Sequence, residues 1–250
     1  MKKIIQSVLL SFLILVFNSC ATAPVKPPLV SMQGISPQST IIVPRQDAFH
    51  IVAPGETLWR ISKMYDVPVS DLLSANKLKT KTLEKGQRLL VPNAAPITPV
   101  IPLYSSRKWK YIIIHHSATD EGSSLQFDKY HQSRGWEGLG YHFVIDNGTK
   151  GKQDGQIEVS PRWLKQQDGA HCGAGAMNER AIGICLVGNF SKENVSKEQL
   201  NALVYLTNKL RRYYNIPLKR IIGHGQVSGA KTDCPGKKFP WAEFKHRLED

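Results

Sequence analysis

The chain has 250 residues, 41% of them hydrophobic, and a formal charge of +13. That apolar content is enough for a packed core and excludes wholesale disorder, and the length suits one ordinary domain with a smaller companion. The charge calls for an anionic partner or surface, but no Lys/Arg block with interleaved aromatics and no nucleic-acid motif is present, so nucleic acid is set aside as a partner.

Residues 1–20 read as a targeting segment. Lys2 and Lys3 open it, Ile4 to Phe17 form a mostly apolar run, and Asn18-Ser19-Cys20 closes it. The run is too short to span a bilayer comfortably, which favours a signal peptide. Its ending resembles a bacterial lipobox, although Phe17 stands where Leu is usual. The resemblance implies cleavage before Cys20 and lipid on that cysteine, hence a membrane-anchored protein of the bacterial envelope, facing the periplasm. Ala21 after Cys20 resembles lipoproteins sent to an outer membrane. Residues 21–48, rich in Pro, Ser and Gln without an apolar period, read as an extended tether.

Residues 49–92 form a compact block expected to fold as strand, helix, helix, strand. Phe49 to Val52 is a short strand, and Pro54-Gly55-Glu56-Thr57 makes a turn whose threonine caps a helix carrying Leu58, Ile61 and Tyr65. Leu58 and Trp59 are expected in the core. A second helix runs from about Val69 to Ala75, and Gln87 to Val91 closes the block. The run Phe-His-Ile-Val-Ala-Pro-Gly-Glu-Thr-Leu-Trp-Arg-Ile-Ser, with Asn76-Lys-Leu78 and Gly86-Gln-Arg-Leu-Leu-Val-Pro92, resembles a LysM domain over its full length. The resemblance implies binding of glycans containing N-acetylglucosamine, such as peptidoglycan. It places the groove between Gly55, Glu56, Thr57 and Leu58 on one side and Asn76, Lys77 and Leu78 on the other.

Residues 93–107, with Pro96, Pro99 and Pro102, read as a stiff linker into a larger block, 108–250. There Tyr111 to His115 is an apolar strand, Ser123 to Ser133 a helix, and Gly140 to Asp146 a strand ending at an Asn-Gly turn. Ala181 to Val187 is a further strand. Ser196 opens a helix, with Gln199 three residues on as the second half of a capping box, and Leu200, Leu203, Val204, Thr207 and Leu210 form its inner stripe. Arg220 to Gly223 is a last strand before a helix marked by Trp241, Phe244 and Leu248. The alternation predicts a mixed α/β sheet flanked by helices.

Two segments of this block carry the chemistry. One is the strand ending in His115-His116; the other is Gly223-His224 followed, in a Gly-rich loop, by Cys234-Pro235-Gly236. Adjacent residues on a strand point to opposite faces, so only one of His115 and His116 can join His224 and Cys234, and spacing alone does not choose. Two histidines and a cysteine can hold zinc and leave one position open, which suits a hydrolase. Three cysteines remain after Cys20. Cys172 and Cys185 either pair in an oxidising compartment or stay as buried free thiols.

Ile-Ile-His115-His-Ser-Ala-Thr, Gly140-Tyr-His-Phe-Val-Ile-Asp146, Asn178-Glu-Arg-Ala-Ile-Gly-Ile-Cys-Leu-Val-Gly-Asn-Phe190 and Gly-His224 through Thr232-Asp-Cys234-Pro-Gly together resemble the zinc N-acetylmuramoyl-L-alanine amidases. That family includes phage amidase lysozymes and animal peptidoglycan recognition proteins. The resemblance implies zinc on His115, His224 and Cys234, and hydrolysis of the amide between the lactyl group of N-acetylmuramic acid and L-alanine of the stem peptide. It implies that Tyr141 points at the attacking water or the oxyanion, with Thr232 and the adjacent Lys231 as further catalytic candidates. His171 borders the cleft, as a substrate contact or a surface histidine, and Asn178 either touches substrate or fixes its loop. Cys185 stands where some intracellular relatives carry a catalytic Glu. Some relatives have lost the cysteine ligand and only bind; this chain keeps it, so an enzyme is expected, and a monomer.

Overall fold

The computed structural model describes residues 44–249; the leader, Cys20 and nearly all of the tether lie outside them. The small block begins with β1 (Gln46–Ile51), followed by α1 (Leu58–Tyr65), α2 (Val69–Ala75) and β2 (Arg88–Ala94). The two strands pair antiparallel. Thr57 Oγ1 accepts the Arg60 N–H at 3.2 Å, capping α1. Val52, Leu58, Ile61, Leu72, Leu89 and Val91 fill the core. Trp59 departs from expectation: at 60% exposure it lies on the solvent face of α1.

The larger block contains β3 (Tyr111–His116), α3 (Ser124–Ser133), β4 (Phe143–Asn147), β5 (Asp154–Val159), α4 (Pro161–Leu164), α5 (Met177–Arg180), β6 (Ala181–Leu186), α6 (Lys197–Tyr214), β7 (Ile221–Gly223) and α7 (Trp241–Glu249). Its sheet has the order β5-β4-β6-β3-β7. All neighbours run parallel except β4 and β5, which pair antiparallel. This is the expected mixed α/β sheet. Every residue of central β6 is buried, as a strand covered on both faces must be. Ile112, Ile114, Phe143, Ile145, Ile182, Ile184 and Leu186 share one core with α6 and α7. The alternate positions Ile113 and Val144 belong to smaller apolar clusters apart from that core, and His115 and Cys185 fall on the same alternation.

Some local expectations are revised. Ser196 Oγ caps α6 by accepting Gln199 N–H at 3.0 Å, but the Gln199 side chain does not reach back. It donates instead to Val187 O at 2.8 Å, tying the helix to the end of β6. β5 had no clear sequence signal, because Asp154-Gly-Gln-Ile-Glu-Val159 carries few apolar residues. Cys172 and Cys185 are both buried and free, so the disulfide alternative is excluded. Among the described residues no helix is long and apolar enough to cross a membrane.

The segment joining the two blocks is fastened along its length. Ala95 and Thr98 donate backbone N–H groups to Tyr65 O and Met64 O, each at 2.9 Å. Arg60 Nη2 donates to Val100 O at 2.6 Å, and Trp163 Nε1 to Pro102 O at 2.8 Å. Where the blocks meet, the buried Lys152 donates to Ile51 O at 2.8 Å and lies 3.4 Å from Glu158.

Asp146 is fully buried beside this cluster, and neither of its oxygens meets a donor. Burial first, and Glu158 next, push its carboxyl well above the ordinary 3.8. The folded chain therefore keeps the Asp146 proton where the unfolded chain has lost it. Stability is greatest below about pH 4 for this group and falls as pH rises toward the folded-state value. Asp146→Asn, which replaces the carboxyl with a permanent donor, is expected to flatten that slope. Denaturant unfolding at about pH 5 and about pH 8 should show the variant gaining on the parent at the higher pH; an equal difference at both refutes the assignment.

Candidate metal centre

Parallel strands gather functional groups at their carboxyl ends. His115 is the penultimate residue of β3, and His224 directly follows β7, its parallel neighbour. The loop after His224 folds back so that Gly225 N–H donates to Cys234 O at 2.7 Å and Thr232 Oγ1 accepts Cys234 N–H at 3.1 Å. A Cβ on Gly225 would run into Thr232 O, and one on Gly236, with φ of 103°, into the Phe190 backbone. Only glycine lets the loop pack this closely.

The loop delivers Cys234 Sγ to 3.7 Å from His115 Nδ1. One donor atom from each of His115, His224 and Cys234 lies within 4.8 Å of the others. A tetrahedral zinc with bonds of about 2.0–2.3 Å separates its ligand atoms by roughly 3.3–3.8 Å, so the donors fit such an ion after small adjustments. The structure makes the choice between the paired histidines, with His115 beside Cys234. His116 points to the other face, where its Nδ1 accepts Phe190 N–H at 3.2 Å.

A hydrogen-bond relay fixes the His115 ring. His171 Nε2 lies 3.3 Å from Ala181 O, which can only accept, so that nitrogen carries the proton. His171 Nδ1 is then an acceptor, 3.0 Å from His115 Nε2. His115 therefore holds its proton on Nε2 and presents the Nδ1 lone pair to Cys234 and His224. His171, expected to meet substrate, has both ring nitrogens in this relay and positions His115 instead. Asn178 is likewise an organiser. Its side-chain oxygen accepts the backbone N–H of both His171 and Cys172 at 2.8 Å.

Electrostatics suit a cation. Burial, then the neighbouring His171 and His224, hold His115 well below its ordinary pKa, and burial lowers His224 as well. Both rings are thus neutral, the ligating form. Burial pushes the Cys234 thiol up to about 12, against the lowering effect of the His116 N–H. A thiolate here needs a positive partner in the cluster, which a divalent metal supplies.

Tyr141 stands just before β4, its ring 5.2 Å from that of His115. It is half-buried. With Ser117, Phe127, Tyr130, His131 and Lys150 it lines a cleft of about 510 Å³. Burial, then the Cys185 and Cys234 thiols, push its phenol well above 10, so it remains a donor at neutral pH. Thr232 and Lys231 are exposed on the cysteine loop. His131 gave no recognisable signal in the sequence, yet it supports Tyr141. Its Nδ1 accepts Gly140 N–H at 3.1 Å and its ring stacks on Trp136.

The expected glycan residues of the small block are mostly occupied. Glu56 is buried, bonded to His50 Nε2 and Ala53 N–H at 2.7 Å each. Burial raises its pKa, but the bond and charge of His50, with Lys152 beyond, bring it down to about 2. Asn76 spends its amide on Leu72 O, Leu90 O and Leu90 N–H. Gly55 faces Pro161 and Leu164 of the larger block. Thr57 and Lys77 remain exposed and Leu78 half-buried.

The family model for N-acetylmuramoyl-L-alanine amidase matches residues 105–237, and that for the LysM domain matches residues 50–92. The endolysin of Enterobacteria phage T3 is 35% identical over 146 residues, 55% of this chain and 84% of the relative. Peptidoglycan-recognition protein LB of Drosophila melanogaster is 31% identical over 152 residues, 54% of this chain and 60% of the relative. Among solved structures, the N-acetylmuramoyl-L-alanine amidase LysC from Clostridium intestinale aligns with 33% identity and a TM-score of 0.49, covering 62% of this chain and 95% of that one. With a family model spanning more than half its length, the chain belongs to the N-acetylmuramoyl-L-alanine amidase family and carries a LysM domain ahead of the catalytic block.

Proposed function

We propose that this protein hydrolyses the amide between the lactyl group of N-acetylmuramic acid and L-alanine of the peptidoglycan stem peptide. His115, His224 and Cys234 would hold a zinc ion, and the LysM block would retain the glycan. The observation that carries this reading is the convergence of those three donors at adjacent parallel strand ends, beside a cleft lined by Tyr141. Zinc held by such donors supplies a Lewis acid and lowers the pKa of water toward ~7.

The chain's own groups do the rest. The protonated Tyr141 phenol donates to the oxyanion that develops on the lactyl carbonyl oxygen when water adds to its carbon. Thr232 uses its hydroxyl oxygen to fix Cys234, which leaves its O–H free to donate; exposed Lys231 adds positive charge to the same loop. His171 and Ala181 O keep the His115 lone pair aimed at the cluster. β6 places a buried thiol, Cys185, level with His115 in the parallel register, so no carboxylate from that strand shares the work. Retention on the glycan through the surface near Thr57, Lys77 and Leu78 raises the local substrate concentration without altering the chemistry.

The reading extends to an envelope lipoprotein, attached through lipid on Cys20, facing the periplasm and directed to the outer membrane. Lys2, Lys3, the apolar run and the Asn-Ser-Cys20 ending support it. Labelling with a radioactive fatty acid is expected to mark the parent chain and not Cys20→Ser; equal labelling of both rejects the anchor.

Mass spectrometry of soluble muropeptides treated with protein lacking residues 1–20 should show free stem peptide. Release should stop with a chelator and return with zinc. Cys234→Ser should lose bound zinc and turnover together. Tyr141→Phe should keep zinc but turn over about 100-fold or more slowly, the usual loss for one oxyanion donor. Full activity in Cys234→Ser excludes the ligand set. Binding without release in the parent places the chain among non-catalytic recognition proteins.

A further inference from the structure

The Tyr141 segment is held from below by one face of α3. Asp128 Oδ1 accepts Leu139 N–H at 2.9 Å, and one turn on, His131 Nδ1 accepts Gly140 N–H at 3.1 Å. The approach is close: a Cβ on Gly138, at φ of 86°, would lie 2.7 Å from Asp128 Oδ1. Tyr141 is the next residue after these two anchored positions.

Asp128 is only 3% exposed. A buried carboxylate must be matched by donors and by charge. Gln132 Nε2 supplies one donor at 2.9 Å. The one cation that pairs with it among the described residues is Lys85, whose Nζ lies 2.9 Å from Oδ2. Lys85 belongs to the LysM block, forty-three residues earlier in the chain.

This bridge is one of several contacts that seat the LysM block. Gly86, beside Lys85, approaches Leu125 at the start of α3, and Gly55 approaches Pro161 and Leu164 of α4. Lys152 reaches across to Ile51 O. Gly55, expected to border the glycan groove, and Gly86, which precedes β2, thus both abut the catalytic block, Gly86 on the helix that lines the cleft through Phe127, Tyr130 and His131.

We propose that the LysM block is a fixed part of the catalytic unit, and that Lys85 is a positioning residue which, through Asp128, holds the Leu139–Tyr141 segment in place for reaction. The proposal rests on the role given to Tyr141 above. It assigns the LysM block a contribution to turnover on small substrates, for which polymer retention is irrelevant.

The test compares the full chain with Lys85→Met and Lys85→Arg on a purified soluble muropeptide, zinc present, and follows amide hydrogen exchange at Leu139 and Gly140. Lys85 is nearly half exposed, so both variants are expected to fold, Lys85→Met with an unfolding transition lowered only slightly by the loss of the cation beside Asp128. Lys85→Met should lower kcat about 3- to 10-fold with KM unchanged, the size of one misplaced interaction felt in the transition state. Exchange at Leu139 should speed up in parallel, and Lys85→Arg should restore both. Unchanged kcat overturns the proposal, whether or not exchange changes; so does a loss of kcat with unchanged exchange, or one that Arg does not rescue. If the parent releases no stem peptide, the amidase reading fails instead, and exchange still reports whether Lys85 holds the segment.

Discussion

The placement of β3 between β6 and β7, all three parallel, is the constraint on which the site depends. It brings His115 and His224 to the same edge of the sheet on neighbouring strands. The two-residue period of β3 then decides which of its paired histidines turns toward Cys234. A one-residue slip would put His116 there and drive His115 into the apolar core with α6 and α7. The core residues Ile112, Ile114, Ile182, Ile184 and Leu186, all buried, make that slip costly. Packing on one face of the sheet therefore maintains chemistry on the other.

On that other face the His115 ring and the loops around it are held by hydrogen bonds. His115, His171 and Ala181 O form a chain in which each proton has one place to go. Asn178 pins the backbone that carries His171, and the Cys234 loop is closed by Thr232 and Gly225. Such a network suits a site whose donors must be neutral or anionic, aimed, and dry before a cation arrives. Burial next to the thiols raises the Tyr141 phenol further above its ordinary 10, which extends its protonated form into alkaline pH.

The sequence was most legible where period and local chemistry agree. The apolar strand before His115, the Thr57 and Ser196 caps and the Gly-rich turn around Cys234 all appear where their residues predicted. It was least legible where a side chain has a distant partner. Glu56 and Asn76 look like surface binding residues in a loop, yet His50 and Leu90 take their polar atoms inward. His171 reads as a cleft residue until Ala181 O and His115 claim its nitrogens. Gln199 sits at the right spacing for a reciprocal cap, but β6 offers it a buried carbonyl instead. The proline-rich stretch after β2 has a linker's composition, and only its contacts with Tyr65, Met64 and Trp163 reveal a fastened strap.

That strap has a consequence for dissecting the protein. Cutting at a domain boundary drawn from composition would remove Ile51 O from Lys152, Lys85 from Asp128 and Pro102 O from the Trp163 indole. The isolated catalytic block would then carry an ammonium left with Glu158 alone, a carboxylate without its cation and an indole N–H without its acceptor, each at some cost. A shortened chain that works poorly on cell walls would have lost two things at once, its hold on the glycan and part of its own interior.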